Sequence, residues 1–183
     1  MARFEDALPT VLRHEGLYSE DPADPGGATN YGISLRFLRQ LGDTDGDGFA
    51  EGDLDHDHDV DAKDVQAMSV ADAAKWYRES FWIPGQIGLI SDQRVANKAF
   101  DLAVNVGLHQ AGILVQRALA AVGQPVKVDG AIGARTLNAT NQAHPRELLA
   151  ALRAETAGYY RSVALARPAL MRFLRGWLRR AYE

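Results

Sequence analysis

The sequence predicts a mainly α-helical chain with a small β or loop lobe near its start and an acidic loop inserted behind that lobe. Three observations carry this reading. Apolar residues recur at helical spacing through most of the 183 residues. Residues 16–33 break the pattern with Gly16, Pro22, Pro25, Gly26, Gly27 and Gly32. Residues 43–64 hold ten acidic residues and one lysine. The net charge of −4 therefore hides a remaining body of 19 basic and 14 acidic residues, net +5, which suits an anionic polymer and equally an ordinary charged surface. With 46% hydrophobic residues the chain can bury a core, and its length suits a single domain over 1–183 that is expected to be a monomer. There is no cysteine, which excludes disulfides, thiolate chemistry and cysteine metal sites. No nucleic-acid motif is present, so no nucleic-acid partner is expected. No segment approaches the ~20 apolar residues of a membrane span. The start Met1-Ala2-Arg3-Phe4-Glu5-Asp6 does not read as a signal peptide.

The first helix is read over 3–15. Phe4, Leu8, Val11 and Leu12 share one face, and Glu15 falls on that face at the helix end. Pro9 either belongs to the first turn of a later-starting helix or kinks this one. A carboxyl group ending a buried stripe is partly desolvated, which favours its protonated form. That is the state of a general acid, and it points to glycoside hydrolysis, where one carboxyl donates a proton and a second group works on the other face of the sugar. The plainer alternative is a helix-end carboxylate in a surface salt bridge. Gly16 lets the helix stop. Asp21, Asp24 and Thr29 follow in a loop or short hairpin that can fold back toward Glu15. Ser34 caps a helix over 35–41, with Ile33, Phe37, Leu38 and Leu41 apolar and Gly42 as its stop.

The acidic segment has the spacing of a calcium loop. Hard cations take about six to eight oxygens, and the EF-hand loop supplies them from positions 1, 3, 5, 7, 9 and 12. Starting at Asp53, these are Asp53, Asp55, Asp57, the Asp59 carbonyl, Asp61 and Asp64, with a helix-like Val65–Met68 behind them. His58 stands at position 6, where glycine usually makes the turn. Closure by Asp rather than Glu is similar to dockerin-type loops. A second frame has Asp43, Asp45, Asp47, the Phe49 carbonyl and Glu51, but Leu54 at its twelfth position. One structural calcium site is expected here and a second is open; no cofactor is expected for catalysis. The alternatives are a disordered acidic linker and zinc held through His56 and His58, which the oxygen excess disfavours.

Ser69-Val70-Ala71-Asp72 reads as a capping box for a helix over 70–80 that ends at Trp82-Ile83-Pro84. Trp82 is a candidate sugar-stacking platform or a core residue. A buried helix follows over 92–106, on which Asp101 and Asn105 lie one turn apart. They read as a polar pair satisfying a helix end, or, for Asn105, as an amide that holds an acetamido group. Further helices are read over 110–122, stopped by Gly123, and over 146–164, with Pro145 in the first turn. The last, over 168–181, sets Leu170, Phe173, Leu174, Trp177 and Leu178 against Arg172, Arg175, Arg179 and Arg180. Core packing is favoured for it over membrane contact.

The stretch His14-Glu15-Gly16-Leu17-Tyr18, continued by Asp21-Pro22-Ala23-Asp24-Pro25-Gly26-Gly27-Ala28-Thr29-Asn30-Tyr31-Gly32-Ile33, resembles the signature of glycoside hydrolase family 108. Those are peptidoglycan-cleaving N-acetylmuramidases, found as phage endolysins and in related bacterial proteins. Leu17 stands where the family usually has a second glycine. Ala74-x-x-Tyr77 with Trp82, Phe100-Asp101-x-x-Val104-Asn105-x-Gly107 and Phe173-Leu174-x-Gly176-Trp177-Leu178-x-Arg180 extend the likeness. Asp129-Gly130-x-Ile132-Gly133-x-x-Thr136 resembles a motif of peptidoglycan-binding modules and places such a helical half at 96–165. The resemblance covers 3–42 and 66–180 and leaves 43–64 as an insertion. It implies a lysozyme-like helical domain and an endolysin that cleaves the β-1,4 bond from N-acetylmuramic acid to N-acetylglucosamine. Glu15 is then the catalytic acid, with Asp24 and Thr29 assisting and Tyr31, Trp82 and Asn105 on the substrate. The Glu15, Asp24, Thr29 spacing also resembles the triad of phage lysozymes, one residue short before Thr. Such an enzyme, made in the host cytoplasm, acts on the wall after a holin or lysis releases it. The rival readings are a non-catalytic peptidoglycan-binding module and a calcium-regulated lysis partner.

Overall fold

The computed structural model describes residues 1–16, 18–20, 27–44 and 46–183. Over the described residues it is mainly α-helical with one two-stranded sheet, as its pattern predicts. It divides into two compact units, one of Leu8–Glu79 and one of Met1–Ala7 with Ser80–Glu183. No described helix is long and apolar enough to cross a membrane.

Helix α1 (Phe4–Glu15) contributes to both units and runs through Pro9. A proline there forfeits one intrahelical hydrogen bond, and the helix continues regardless. It ends at Gly16, whose φ of 76° is the left-handed conformation that stops a helix cheaply only at glycine. In the Leu8–Glu79 unit, β1 (Thr29–Asn30) pairs antiparallel with β2 (Ile33–Ser34). The two residues between them, Tyr31 at φ 48° and Gly32 at φ 77°, are both left-handed, as a tight type I′ hairpin turn requires. Ser34 then caps α2 (Leu35–Leu38), its Oγ accepting from the Phe37 amide at 3.2 Å. This helix is shorter than its apolar pattern suggests, because Gln40 and Leu41 bond three residues back in tighter turns. After the acidic loop come α3 (Ala62–Ala67), capped by Asp61, and α4 (Val70–Tyr77), capped reciprocally by Ser69 and Asp72. Val11, Ile33, Leu38, Val65, Trp76 and Tyr77 form the buried interior of this unit.

The larger unit is a helical assembly of α5 (Gln93–Val106), α6 (Leu108–Ala121), α7 (Ala134–Gln142), α8 (Pro145–Ala166) and α9 (Leu174–Tyr182). Asp92 caps α5 through bonds from the Arg94 and Val95 amides, and Pro145 opens α8. Phe4, Trp82 and Phe100 meet edge to face, with centroids 5.4–5.6 Å apart. The expected last helix over 168–181 is broken. Pro168 forbids a helical Arg167, which sits at φ −133°, ψ 83°, so α8 ends at Ala166. Residues Pro168–Phe173 then form 3-10 turns before α9 begins.

Candidate active site

Glu15 is the last residue of α1, half-buried, one turn beyond the fully buried Val11. The hairpin turn lies against its stem. A Cβ on Gly32 would stand 2.6 Å from Glu15 Cβ, 2.8 Å from its Cγ and 2.5 Å from the Tyr77 hydroxyl. Only a glycine admits such an approach, and only a glycine takes the positive φ there without strain. Tyr77, from α4, donates its hydroxyl hydrogen bond to the Tyr31 carbonyl at 2.7 Å. Glu15 is thus bracketed by a backbone turn and a buried phenol. Tyr77 was legible only as an apolar residue of α4; no signal in the sequence ties it to a turn 46 residues away.

Thr29 is in the same hairpin. Its amide and carbonyl pair with Ser19 at 2.8 Å each, and its Oγ1 donates to the Gly27 carbonyl at 3.4 Å. Tyr31 is the half-buried first residue of the turn. Asp21 and Asp24 lie outside the described residues. Asn30 is buried, and its amide nitrogen donates to the Val65 and Met68 carbonyls at 3.0 and 3.5 Å. It therefore ties the hairpin to α3, the helix that closes the acidic loop.

Two expected substrate contacts lie in the other unit. Of its two readings, the structure places Trp82 as a core residue: it is 6% exposed and packs edge to face with Phe4 and Phe100. Asn105 is exposed on the last turn of α5, and its Oδ1 accepts from the Tyr160 hydroxyl at 2.6 Å. Asp101, one turn earlier, does not pair with Asn105. It is 1% exposed and bonds Arg180 Nε at 2.9 Å and Lys98 Nζ at 3.4 Å. Lys98 also donates to the Arg180 carbonyl. Burial pushes the Lys98 ammonium down in pKa, and attraction to Asp101 opposes that push.

In the loop, Asp53, Asp55 and Asp57 bring carboxylate oxygens within 4.8 Å of one another, the one such group among the described residues that could hold a metal ion. His58 accepts the turn at φ 68°, the left-handed conformation that glycine usually supplies at this position. Loss of hydration, then repulsion from Asp57 and Asp64, pushes the Asp55 carboxyl up. Asp59 gives its amide to Asp57 at 2.9 Å. Asp61 and Asp64 cap α3, and Asp64 also accepts from the Leu54 amide at 2.7 Å. The residues at the loop's twelfth and first positions are thus drawn to one end by the backbone. The other frame is arranged differently. Asp43 accepts from the Gly46 and Gly48 amides, Asp47 accepts from the Phe49 amide, and Asp45 lies outside the described residues. Glu51 is engaged by Lys75 of α4 and by Thr44, so a protein ammonium meets the carboxylate that a second cation would need. The Phe49 ring stacks on His58 at 4.5 Å and meets His56 edge-on at 4.7 Å.

A helical fold with a two-stranded lobe and a helix-end glutamate under a glycine turn is lysozyme-like in form. Residues 8–107 match the family described as glycosyl hydrolase 108, and residues 110–182 match one described as a predicted peptidoglycan domain. The chain belongs to the glycosyl hydrolase 108 family and is a glycoside hydrolase. The second match points to peptidoglycan as its substrate or partner. Among solved structures it is similar to SagA of Brucella abortus, at 26% identity over 97% of this chain and 88% of that one, with a TM-score of 0.70. No curated protein matches it.

Proposed function

We propose that the chain hydrolyses the β-1,4 bond between N-acetylmuramic acid and N-acetylglucosamine, with Glu15 as proton donor. The observation that carries this is the closeness of Gly32 to Glu15. The turn covers one side of the carboxyl stem, fixes its direction and removes water from that side. Both effects suit a group that must meet a leaving oxygen in one fixed direction. In this reading Asp24 stabilises the developing positive charge or orients water, and Thr29, on the strand beside the turn, holds that water. Tyr31 meets the sugar. Reducing-end release from purified peptidoglycan by wild type and Glu15→Gln, with mass analysis of the products, tests the reading. Muramic-acid reducing ends from wild type and none from a folded variant support it. Equal activity would move the acid elsewhere.

We also propose that the 53–64 loop holds one structural calcium. Its donors are hard carboxylate oxygens, and the grouping of Asp53, Asp55 and Asp57 fits a cation of that class. The ion would offset repulsion that otherwise acts on Asp55. The Asn30 amide, bonded to the Val65 and Met68 carbonyls of the segment behind the loop, would pass that stabilisation to the hairpin beside Glu15.

A further inference from the structure

The stretch Leu165–Phe173 is exposed to a degree its composition does not explain. Eight of its nine residues are exposed and Leu170 is intermediate. Leu165 is 72% exposed, Met171 43% and Phe173 44%. Isolated apolar residues on a surface are ordinary, but three within nine residues, at the junction of two helices, are not. For Met171 and Phe173 the setting is the Arg167-Pro168 step. It ends α8 early and replaces helix with 3-10 turns, which leave Phe173 stacked on Trp177 but outside the cluster that Trp177 and Leu178 pack against.

Charge around this knuckle is one-sided. Between Glu155 and Glu183 the chain has six arginines and no other charged residue. Arg180 turns inward to Asp101, and Arg179 reaches Glu183 at 3.9 Å. Arg161, Arg167, Arg172 and Arg175 are exposed, with no carboxylate partner among the described residues. We propose that the Leu165–Phe173 knuckle docks on an anionic lipid bilayer surface, with Leu165, Met171 and Phe173 entering the acyl boundary and the arginines on the headgroup phosphates.

Ring geometry separates lipid from glycan as the occupant. A sugar stacks on the open face of an aromatic ring. Phe173 has the Arg172 guanidinium 4.7 Å over its ring, and it stacks with Trp177 at 6.0 Å and 27°. Trp177 in turn packs on Tyr160 at 5.5 Å. The row offers ring edges rather than faces, and edges with aliphatic Leu165 and Met171 suit acyl chains. Arginine stems lie along apolar surface while their heads reach phosphate, which is how such a surface sits at an interface.

The inference does not depend on Glu15, and its test does not read hydrolysis. The full chain is mixed with vesicles of equal parts phosphatidylglycerol and phosphatidylcholine, and with phosphatidylcholine alone. Cosedimentation and tryptophan emission are followed. Trp76 and Trp82 are buried, at 3% and 6% exposure, so Trp177 beside Phe173 reports contact. The expected result is binding to the anionic vesicles alone, a blue shift, and weakening with added salt. L165S/M171S/F173S should lower the partition coefficient by at least about tenfold, since each residue forfeits burial of apolar area. R167Q/R172Q/R175Q, which leaves the apolar residues in place, should do likewise. Circular dichroism and melting of both variants should match wild type, because the altered side chains are exposed. Absence of partition into anionic vesicles would overturn the proposal. So would partition unchanged in both variants, or loss by the variants of binding to purified peptidoglycan with vesicle binding intact.

Discussion

Glu15 and Asp101 are both carboxylates on the apolar side of a helix, within stretches that resemble one family, yet they sit in opposite surroundings. Asp101 is sealed at 1% exposure between Lys98 and Arg180, 79 residues away in sequence from the latter. Glu15 is half-buried at a helix end, pressed by the backbone of Gly32 and flanked by Tyr77. A carboxylate closed in by two cations has no room for a leaving group. The Glu15 carboxyl stem, at a helix end beneath a turn, is only half-buried. The difference teaches that position on an apolar face does not make a catalytic acid; the partners brought by distant chain decide.

Substitution at the two carboxylates sharpens the contrast most. Glu15→Gln should lower turnover by about 10²–10⁴-fold, the usual contribution of general acid catalysis, with little change in melting. Asp101→Asn should do the reverse. Breaking a buried ion pair from one side costs about 3–5 kcal/mol, so denaturant titration should show a large loss of stability while the folded fraction still cleaves. Gly32→Ala comes next. It asks alanine for a φ of 77° and places a methyl group inside the Glu15 stem. Displacement of Glu15 by about 1 Å would cost roughly 10²-fold in turnover, and the kinetic loss should exceed the loss of stability.

Calcium is the third lever. At a hundredfold excess over its dissociation constant, an ion that binds only the folded chain stabilises it by about 2.7 kcal/mol, or roughly 5–10 °C for this size. Calorimetry with calcium and with chelator should show that shift, and Asp53→Asn should abolish it. Equal scans would contradict the loop's role. The smallest effects concern Lys98. Its folded pKa is lowered by burial, so the unfolded chain keeps the proton to higher pH than the native one. Stability from this group therefore rises with pH through the window between the lowered folded value and the ordinary lysine value. Lys98→Met should cost less than Asp101→Asn and should flatten that rise in alkaline denaturation curves.

Legibility followed the range of the interactions. Stops and caps at Gly16, Ser34, Ser69 and Pro145 were readable because each depends on a few neighbouring residues. The placing of Glu15 at a helix end beside a glycine-rich turn was readable for the same reason. Three features were not, because each pairs residues far apart. Tyr77 reaches Tyr31, Arg180 reaches Asp101, and Phe4 encloses Trp82. The break after Ala166 is written locally in Arg167-Pro168, but the amphipathic pattern runs on across it and masks it.

The most direct test of the account is product analysis after digestion of purified peptidoglycan, with calcium present, by wild type, Glu15→Gln and Asp101→Asn in parallel. The account predicts muramic-acid reducing ends from wild type and from the folded part of Asp101→Asn, and none above background from a folded Glu15→Gln. Wild-type product from Glu15→Gln would contradict it, and would place the proton donor on another carboxyl of the lobe.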